Sequence, residues 1–301
     1  MCLQEVGTDM LDPCLQKFFS EHGYKFAFHA GEGKLHGVMV VYRQRRFELL
    51  HKRTINYDHA RDEDAHGIPD HRDPLPKSNN VGLVCVMKDL VSNMNFIIGT
   101  THLFWHPRGT YERARQLQLL VALLVQVSQE LEIRSRIILA GDLNTEPLDP
   151  TYLALTQRPY MIDPLGCRIM QESSSQIAAD DEDTHADPTS FEPSDAGAST
   201  EKKWKQRIDR LSGGPQFRSL YAEHYHAIDP GNCGSQGEPT CTNFANVYRG
   251  TLDYLLTPVE SNITCNALLQ MPDLTLLSQG QPQEGQFPSD HFALGCEVTL
   301  E

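Results

Sequence analysis

The apolar run Ile137-Ile138-Leu139-Ala140 feeds directly into Gly141-Asp142-Leu143-Asn144 and then Thr145-Glu146-Pro147, and no other junction constrains the fold as much. A short apolar run closed by a turn signal and a proline reads as a buried strand that stops abruptly. Side chains alternate faces along a strand, so an acid and an amide two residues apart at its end are expected to point the same way. A carboxylate so placed can take a proton from water while the amide holds that water or a phosphate oxygen. Two further segments have the same character. One is Leu3-Gln4-Glu5-Val6, and the other is Ser289-Asp290-His291-Phe292, just ahead of the last apolar run.

Strand patterns recur along the chain at Gly37–Tyr42, Phe47–Leu50, Val81–Met87, Phe96–Leu103, Leu252–Thr257, Thr264–Leu269 and Phe292–Leu300. Arg43 to Arg46 reads as a hairpin tip. Between Tyr111 and Glu132 the period changes to helical, with Leu117, Leu120, Leu124 and Val127 on one stripe. Asp149-Pro150 reads as an N-cap and first helical position of a short helix through Leu155. Asn56–Asn80, rich in Asp, His, Arg and Pro, reads as a long surface loop. Gln171–Ser199 reads as a disordered acidic insertion. Candidate functional residues lie on both sides of it, so 1–301 is expected to be a single domain: two packed sheets with helices outside.

A net charge of −14 argues against a nonspecific duplex-DNA binder, although part of it is local, with seven acids and no Lys or Arg between Asp180 and Asp195. Metal-dependent sites also gather carboxylates. The eight cysteines are scattered with no Cys-x-x-Cys pair, which fits free thiols in a reducing, intracellular compartment rather than a disulfide frame. No apolar run reaches the length of a membrane span, and Glu5 leaves no room for a cleaved leader ahead of it.

Five blocks in one order resemble the endonuclease/exonuclease/phosphatase superfamily: Leu3-Gln4-Glu5-Val6, Thr101-His102-Leu103, Gly141-Asp142-Leu143-Asn144, Leu252-Asp253-Tyr254 and Ser289-Asp290-His291. The resemblance implies an α+β fold, the DNase I-like four-layer α/β sandwich of two mostly antiparallel sheets with outer helices, and magnesium-dependent cleavage of phosphoesters. Thr101 to Pro107, together with Glu238-Pro239, Thr242-Asn243 and Tyr248 to Tyr254, resembles the branch of carbon-catabolite-repressor-type deadenylases and nocturnin. The Phe104-Trp105-His106-Pro107 wording is most similar to fungal Ngl-type RNA exonucleases. Neither the leucine-rich repeats of the large deadenylases nor the signature of inositol polyphosphate 5-phosphatases is present. Members of the family begin with an Asn-bearing strand and a helix before the Leu-Gln-Glu strand. The resemblance therefore implies an N-terminally incomplete chain, with that first strand and helix absent.

The resemblance also implies roles for individual residues. Glu5 is the principal Mg²⁺ ligand, Asp142 orients or deprotonates the attacking water and can hold a second ion, and Asn144 holds the nucleophile and the scissile phosphate. His291 donates to the phosphoryl oxygens, Asp253 fixes its tautomer, Asp290 is a supporting or metal-binding acid, and His102 approaches the phosphate. A hard cation taking carboxylate oxygens suits Mg²⁺, one ion or two, with Mn²⁺ as a substitute. Tyr248 stands where an aromatic stacks on the terminal base and Pro107 beside it; Asn243 either contacts substrate or makes a turn, and Arg249 and Arg108 are phosphate contacts.

The activity implied is a Mg²⁺-dependent 3′-to-5′ RNA exonuclease that releases nucleoside 5′-monophosphates. Its partner would be a single-stranded RNA 3′ end, and it would act as a monomer away from membranes, in cytoplasm or nucleus with mitochondria left open. Two alternatives remain at this level. One is a phosphodiesterase or phosphatase acting on 2′-5′ oligoadenylate, DNA or a dinucleotide phosphate. The other is an inactive RNA-binding remnant.

Overall fold

A computed structural model of the chain describes residues 1–60, 78–133, 136–179, 196–245, 248–273, 280–285 and 288–301. The chain begins with β1 (Cys2–Gly7), α1 (Gln16–Glu21), β2 (Tyr24–Ala30) and β3 (His36–Arg43), whose strands pair antiparallel in the order β1-β3-β2. β3 is apolar on both faces because it is covered on both. Val38 and Val40 point into the molecule, while Met39 and Val41 pack outward with Phe19 of α1.

There follow β4 (Phe47–Asn56), β5 (Val81–Asp89), β6 (Asn95–His102), α2 (Thr110–Glu130), β7 (Ile137–Asp142), α3 (Pro150–Thr156), α4 (Pro164–Ala179) and α5 (Ala196–Gly213). After them come β8 (Phe217–Ser219), α6 (Leu220–His224), β9 (Asn243–Phe244), β10 (Arg249–Gly250), β11 (Asp253–Pro258), β12 (Ile263–Leu268) and β13 (Cys296–Leu300). Six of these strands form one sheet in the order β4-β5-β6-β7-β11-β8. Its strands pair antiparallel except β6 with β7, which are parallel and joined through α2, the crossover that a parallel pair requires.

β5 shows how the layers are assembled. Leu83, Cys85 and Met87 meet Val38 and Val40 between the sheets, whereas Val84 and Val86 face a second core with Leu117, Leu120, Leu124 and Val127 of α2. Four layers result: α1, the three-stranded sheet, the six-stranded sheet, and the helices α2 to α5. This is the four-layer sandwich expected. α2 follows its predicted stripe, and the Asp149 side chain caps α3 by accepting the Thr151 N–H at 2.8 Å, with Pro150 at the first position.

Several expectations need correction. The disordered stretch expected from Gln171 to Ser199 is helical at both ends, since α4 continues through Ala179 and α5 starts at Ala196; residues 180–195 lie outside the described residues. In α4, Gly166, Met170 and Ser173 are buried at helical spacing, and the Ser173 hydroxyl accepts the Tyr111 N–H at 2.9 Å, so a serine-rich composition concealed an inward face. α5 buries Trp204, Arg207, Ile208 and Leu211 in the same way. The loop expected over Asn56–Asn80 begins within β4 and with a fully buried Tyr57, and its middle, 61–77, lies outside the described residues. The last strand starts at Cys296, not at Phe292, because residues 291 and 292 are bonded instead to the Thr242–Asn243 segment. All eight cysteines are free thiols. No helix among the described residues is long and apolar enough to cross a membrane.

Candidate active site

The register of three strands builds the site. His102 at the end of β6 lies opposite Asp142 at the end of β7, and Asp142 lies opposite Asp253 at the start of β11, so one row across the sheet reads His, Asp, Asp. Like charges directly opposite each other destabilise a sheet, so the Asp142–Asp253 pair costs the fold stability and has to be compensated. β7 can approach β6 this closely only because residue 141 is glycine. A Cβ there would lie 2.4 Å from the Thr101 carbonyl oxygen.

The strand stops at Asp142, so strand alternation does not explain how Asp142 and Asn144 come together. Asn144 adopts a left-handed conformation (φ 48°), which Asn tolerates better than most residues, and its N–H donates to Asp142 Oδ1 at 2.8 Å. The Asn144 side-chain amide donates to the Leu103 carbonyl at 3.0 Å. An Asx turn thus folds the acid and the amide onto the start of the loop that follows His102.

His291 reaches the row from the C-terminal segment. Its Nδ1 lies 2.8 Å from Asp253 Oδ2 and its Nε2 3.8 Å from Asp142 Oδ2. Asp253 is itself oriented by the Thr242 hydroxyl, which donates to Oδ2 at 2.7 Å and accepts the Leu252 N–H at 2.9 Å. Burial would lower the His291 pKa, but the hydrogen bond to Asp253 and the charges of Asp253, Asp142 and Asp290 outweigh it and raise it to about 9. Burial first, and then the like charge of Asp253, push the Asp142 carboxyl up to about 8, against the pull of His291 and the Asn144 N–H. His102 goes the other way. Burial, with help from Lys34, His36 and His291, lowers it to about 3, so it is a neutral imidazole at physiological pH.

Glu5 sits in a bulge of β1, where pairing with β3 shifts between Leu3 and Val6 and its own φ is +55°. The bulge turns its carboxylate toward the second sheet, with Oε1 3.8 Å from His102 Nδ1 and the side chain still 68% exposed. Asp290 lies to one side, its Oδ2 3.4 Å from the Asn243 amide nitrogen, while Asn243 Oδ1 accepts the Ala245 N–H and residue 243 pairs with His291. Asn243 therefore braces the His291 segment. Tyr248 is half-buried and donates its hydroxyl to Glu146 at 2.9 Å, and the exposed Arg249 lies over the Phe244 ring. Pro107 is in the loop after His102, its carbonyl accepting from Arg113.

Two basic residues escaped the sequence reading. Lys34 is half-buried between Asn80 Oδ1 and the Ser78 carbonyl and feels the charge of Glu5, and the His36 ring is 6.2 Å from that of His102. Their signal was a Lys-Leu-His-Gly segment entering an apolar strand. Thr242 belongs to the Thr242-Asn243 block of the resemblance, but its role in holding Asp253 depends on a turn that sequence spacing does not reveal.

The carboxylates of this row suit a divalent cation, and His291 could join them as a ligand only by giving up its proton. One ligand atom each from Asp142, Asp253 and His291 lies within 4.8 Å of the others, and buried His102 Nδ1 has no hydrogen-bond partner among the described residues. Two opposed carboxylates with Glu5 facing them make a concentration of negative charge that an ion would relieve.

A row of acids flanked by two histidines at one end of a four-layer sandwich has the geometry of a hydrolase site. The chain belongs to the endonuclease/exonuclease/phosphatase family, whose pattern matches residues 1–291. It is 31% identical to a probable RNA exonuclease of Schizosaccharomyces pombe, over 99% of this chain and 66% of that protein. It is 28% identical to RNA exonuclease NGL2 of Saccharomyces cerevisiae, over 100% of this chain and 69% of the relative. The chain thus spans about two thirds of the length of these curated relatives. In fold it is similar to ANGEL2, a 2′,3′-cyclic phosphatase solved with adenosine-2′,3′-vanadate, with a TM-score of 0.68 at 20% identity over 99% of this chain and 80% of that one.

Proposed function

We propose that the chain is a Mg²⁺-dependent 3′-to-5′ exonuclease of single-stranded RNA that releases nucleoside 5′-monophosphates. The observation that carries this reading is the meeting of His102, Asp142, Asp253 and His291, from the ends of three neighbouring central strands of the six-stranded sheet and a C-terminal turn. Relatives named as RNA exonucleases support the choice of substrate.

Glu5 and Asp142 would hold the metal with Asp290 in support, and a bound magnesium would supply positive charge to the phosphate. Asp142, whose carboxylate form a bound cation would favour, takes the proton of the attacking water. Asn144 orients that water and the phosphate. The His291 imidazolium, fixed through Nδ1 by Asp253, presents Nε2 to the oxygens on which charge develops. Neutral His102 offers a hydrogen bond without adding charge. Tyr248, Pro107 and Arg249 frame the terminal nucleotide, with Asn243 bracing the His291 turn.

The test is turnover of 5′-labelled and 3′-labelled single-stranded RNA, with and without Mg²⁺. A 5′ label should show stepwise shortening, a 3′ label immediate release of mononucleotide, and Asp142→Ala should abolish both. RNA binding without turnover, or turnover of 2′-5′ oligoadenylate or DNA alone, would refute the proposal.

A further inference from the structure

Of the two tryptophans in this chain, Trp204 is 2% exposed in the helical core and Trp105 is 68% exposed. Trp105 lies two residues beyond Leu103, whose carbonyl accepts from Asn144, so its backbone is at most about 7 Å from that of Leu103. A large aromatic left in water beside an active site needs a physical reason.

The loop that displays Trp105 is tightly built. Arg113, 3% exposed, donates to the carbonyls of Phe104, His106 and Pro107, and the Gly109 N–H donates back to the His106 carbonyl at 2.8 Å. The Phe104 N–H donates to Gln116 at 3.1 Å, and Asp149, which follows the Asn144 turn, accepts from both Arg113 and Thr110. Arg113 and Asp149 therefore tie this loop to the catalytic turn. The His106 ring stacks on Phe104 at 6.2 Å and 21° and meets Trp105 edge to face at 5.5 Å and 61°. The indole is thus braced by one ring edge, and most of its surface remains open to solvent. The sequence from His102 to Tyr111 contains no acid and includes Arg108, against a chain charge of −14.

From this we infer that Trp105 is a stacking platform for an unpaired base of the substrate strand, with Arg108 beside it for the phosphate backbone. This rests on the single-stranded nucleic acid reading above. A preformed loop spends little conformational entropy on binding, and an indole face accepts any base, so the platform confers preference for unpaired strands without base specificity.

The full chain, kept in chelator to prevent turnover, is titrated with a single-stranded triadenylate, with an abasic ribose-phosphate trimer and with duplex RNA while tryptophan emission is followed. Quenching by the triadenylate alone, lost in Trp105→Ala, is the expected result, because Trp204 is shielded. With Mg²⁺, Trp105→Ala should raise KM for RNA by about 5- to 150-fold with kcat little changed, and Trp105→Phe should restore most of it. Equal quenching by the abasic trimer, or unchanged KM and emission behaviour in Trp105→Ala, overturns the platform even if the enzyme degrades RNA. Absence of RNA hydrolysis by the unaltered protein would instead count against the activity, and the quenching arm would still report on the platform.

Discussion

Asp253 and His291 form the shortest ion pair in the site, and the charge on His291 depends on it. Changing Asp253 to Asn keeps an acceptor for the Thr242 hydroxyl but removes the negative charge that holds the imidazolium. The His291 pKa should then fall from about 9 toward its ordinary 6.5, so the alkaline limb of the kcat profile moves to lower pH. At pH 7.5 kcat should drop by about tenfold, because a histidine with its ordinary pKa is only about one-tenth protonated there. If the alkaline limb stays in place in Asp253→Asn, Asp253 does not control the histidine. Nothing in the local sequence around either residue states that they touch. They are 38 positions apart, and the contact arises because residues 242, 243, 291 and 292 fold together as a bridge.

At the level of elements, the site is a matter of register, and register is the part least legible beforehand. β7, its glycine and its terminal acid were readable as a strand that ends, as were β3, β5, β6 and α2, because each carries an unbroken apolar period. The pairing of β7 with β11 was not, since it joins residues more than a hundred positions apart; nor was the bulge that turns Glu5, which depends on a shift against β3. Gly141→Ala tests the register directly. The added methyl would meet the backbone oxygen of Thr101, which has no rotamer by which to yield, so β7 must move from β6. A displacement of about 1 Å is enough to reduce turnover by about 10²-fold, and a loss of that order with the melting profile still cooperative is expected. Trp204→Ala tests the helix that composition concealed. Truncating this buried indole should lower the unfolding free energy measured by denaturant titration by about 3–5 kcal/mol, whereas an exposed or disordered Trp204 would cost almost nothing.

Over the whole molecule, the site takes protons when it holds no cation, and this couples stability to pH. Asp142 has a folded pKa near 8 against an ordinary 3.8, so across that interval the folded chain keeps a proton that the unfolded chain has lost. His291, near 9 against 6.5, does the same over a higher interval: its stabilisation is complete below 6.5 and is lost as pH rises through 9. Both groups bind more protons in the folded state, so both make stability fall as pH rises. In chelator, the melting temperature should therefore decline between pH 6.5 and 9. A divalent ion that requires deprotonated Asp142 acts in the opposite direction and binds better as pH increases. Adding Mg²⁺ should raise the melting temperature more at pH 8.5 than at pH 6.5, and an ion at about 100 times its Kd adds about 2.7 kcal/mol of stability. Asp142→Asn should make the chelator profile shallower, leaving the part that His291 contributes through Asp253, and should remove the Mg²⁺ response. A Mg²⁺ stabilisation that is independent of pH, or that survives in Asp142→Asn, would place the ion away from this row of acids.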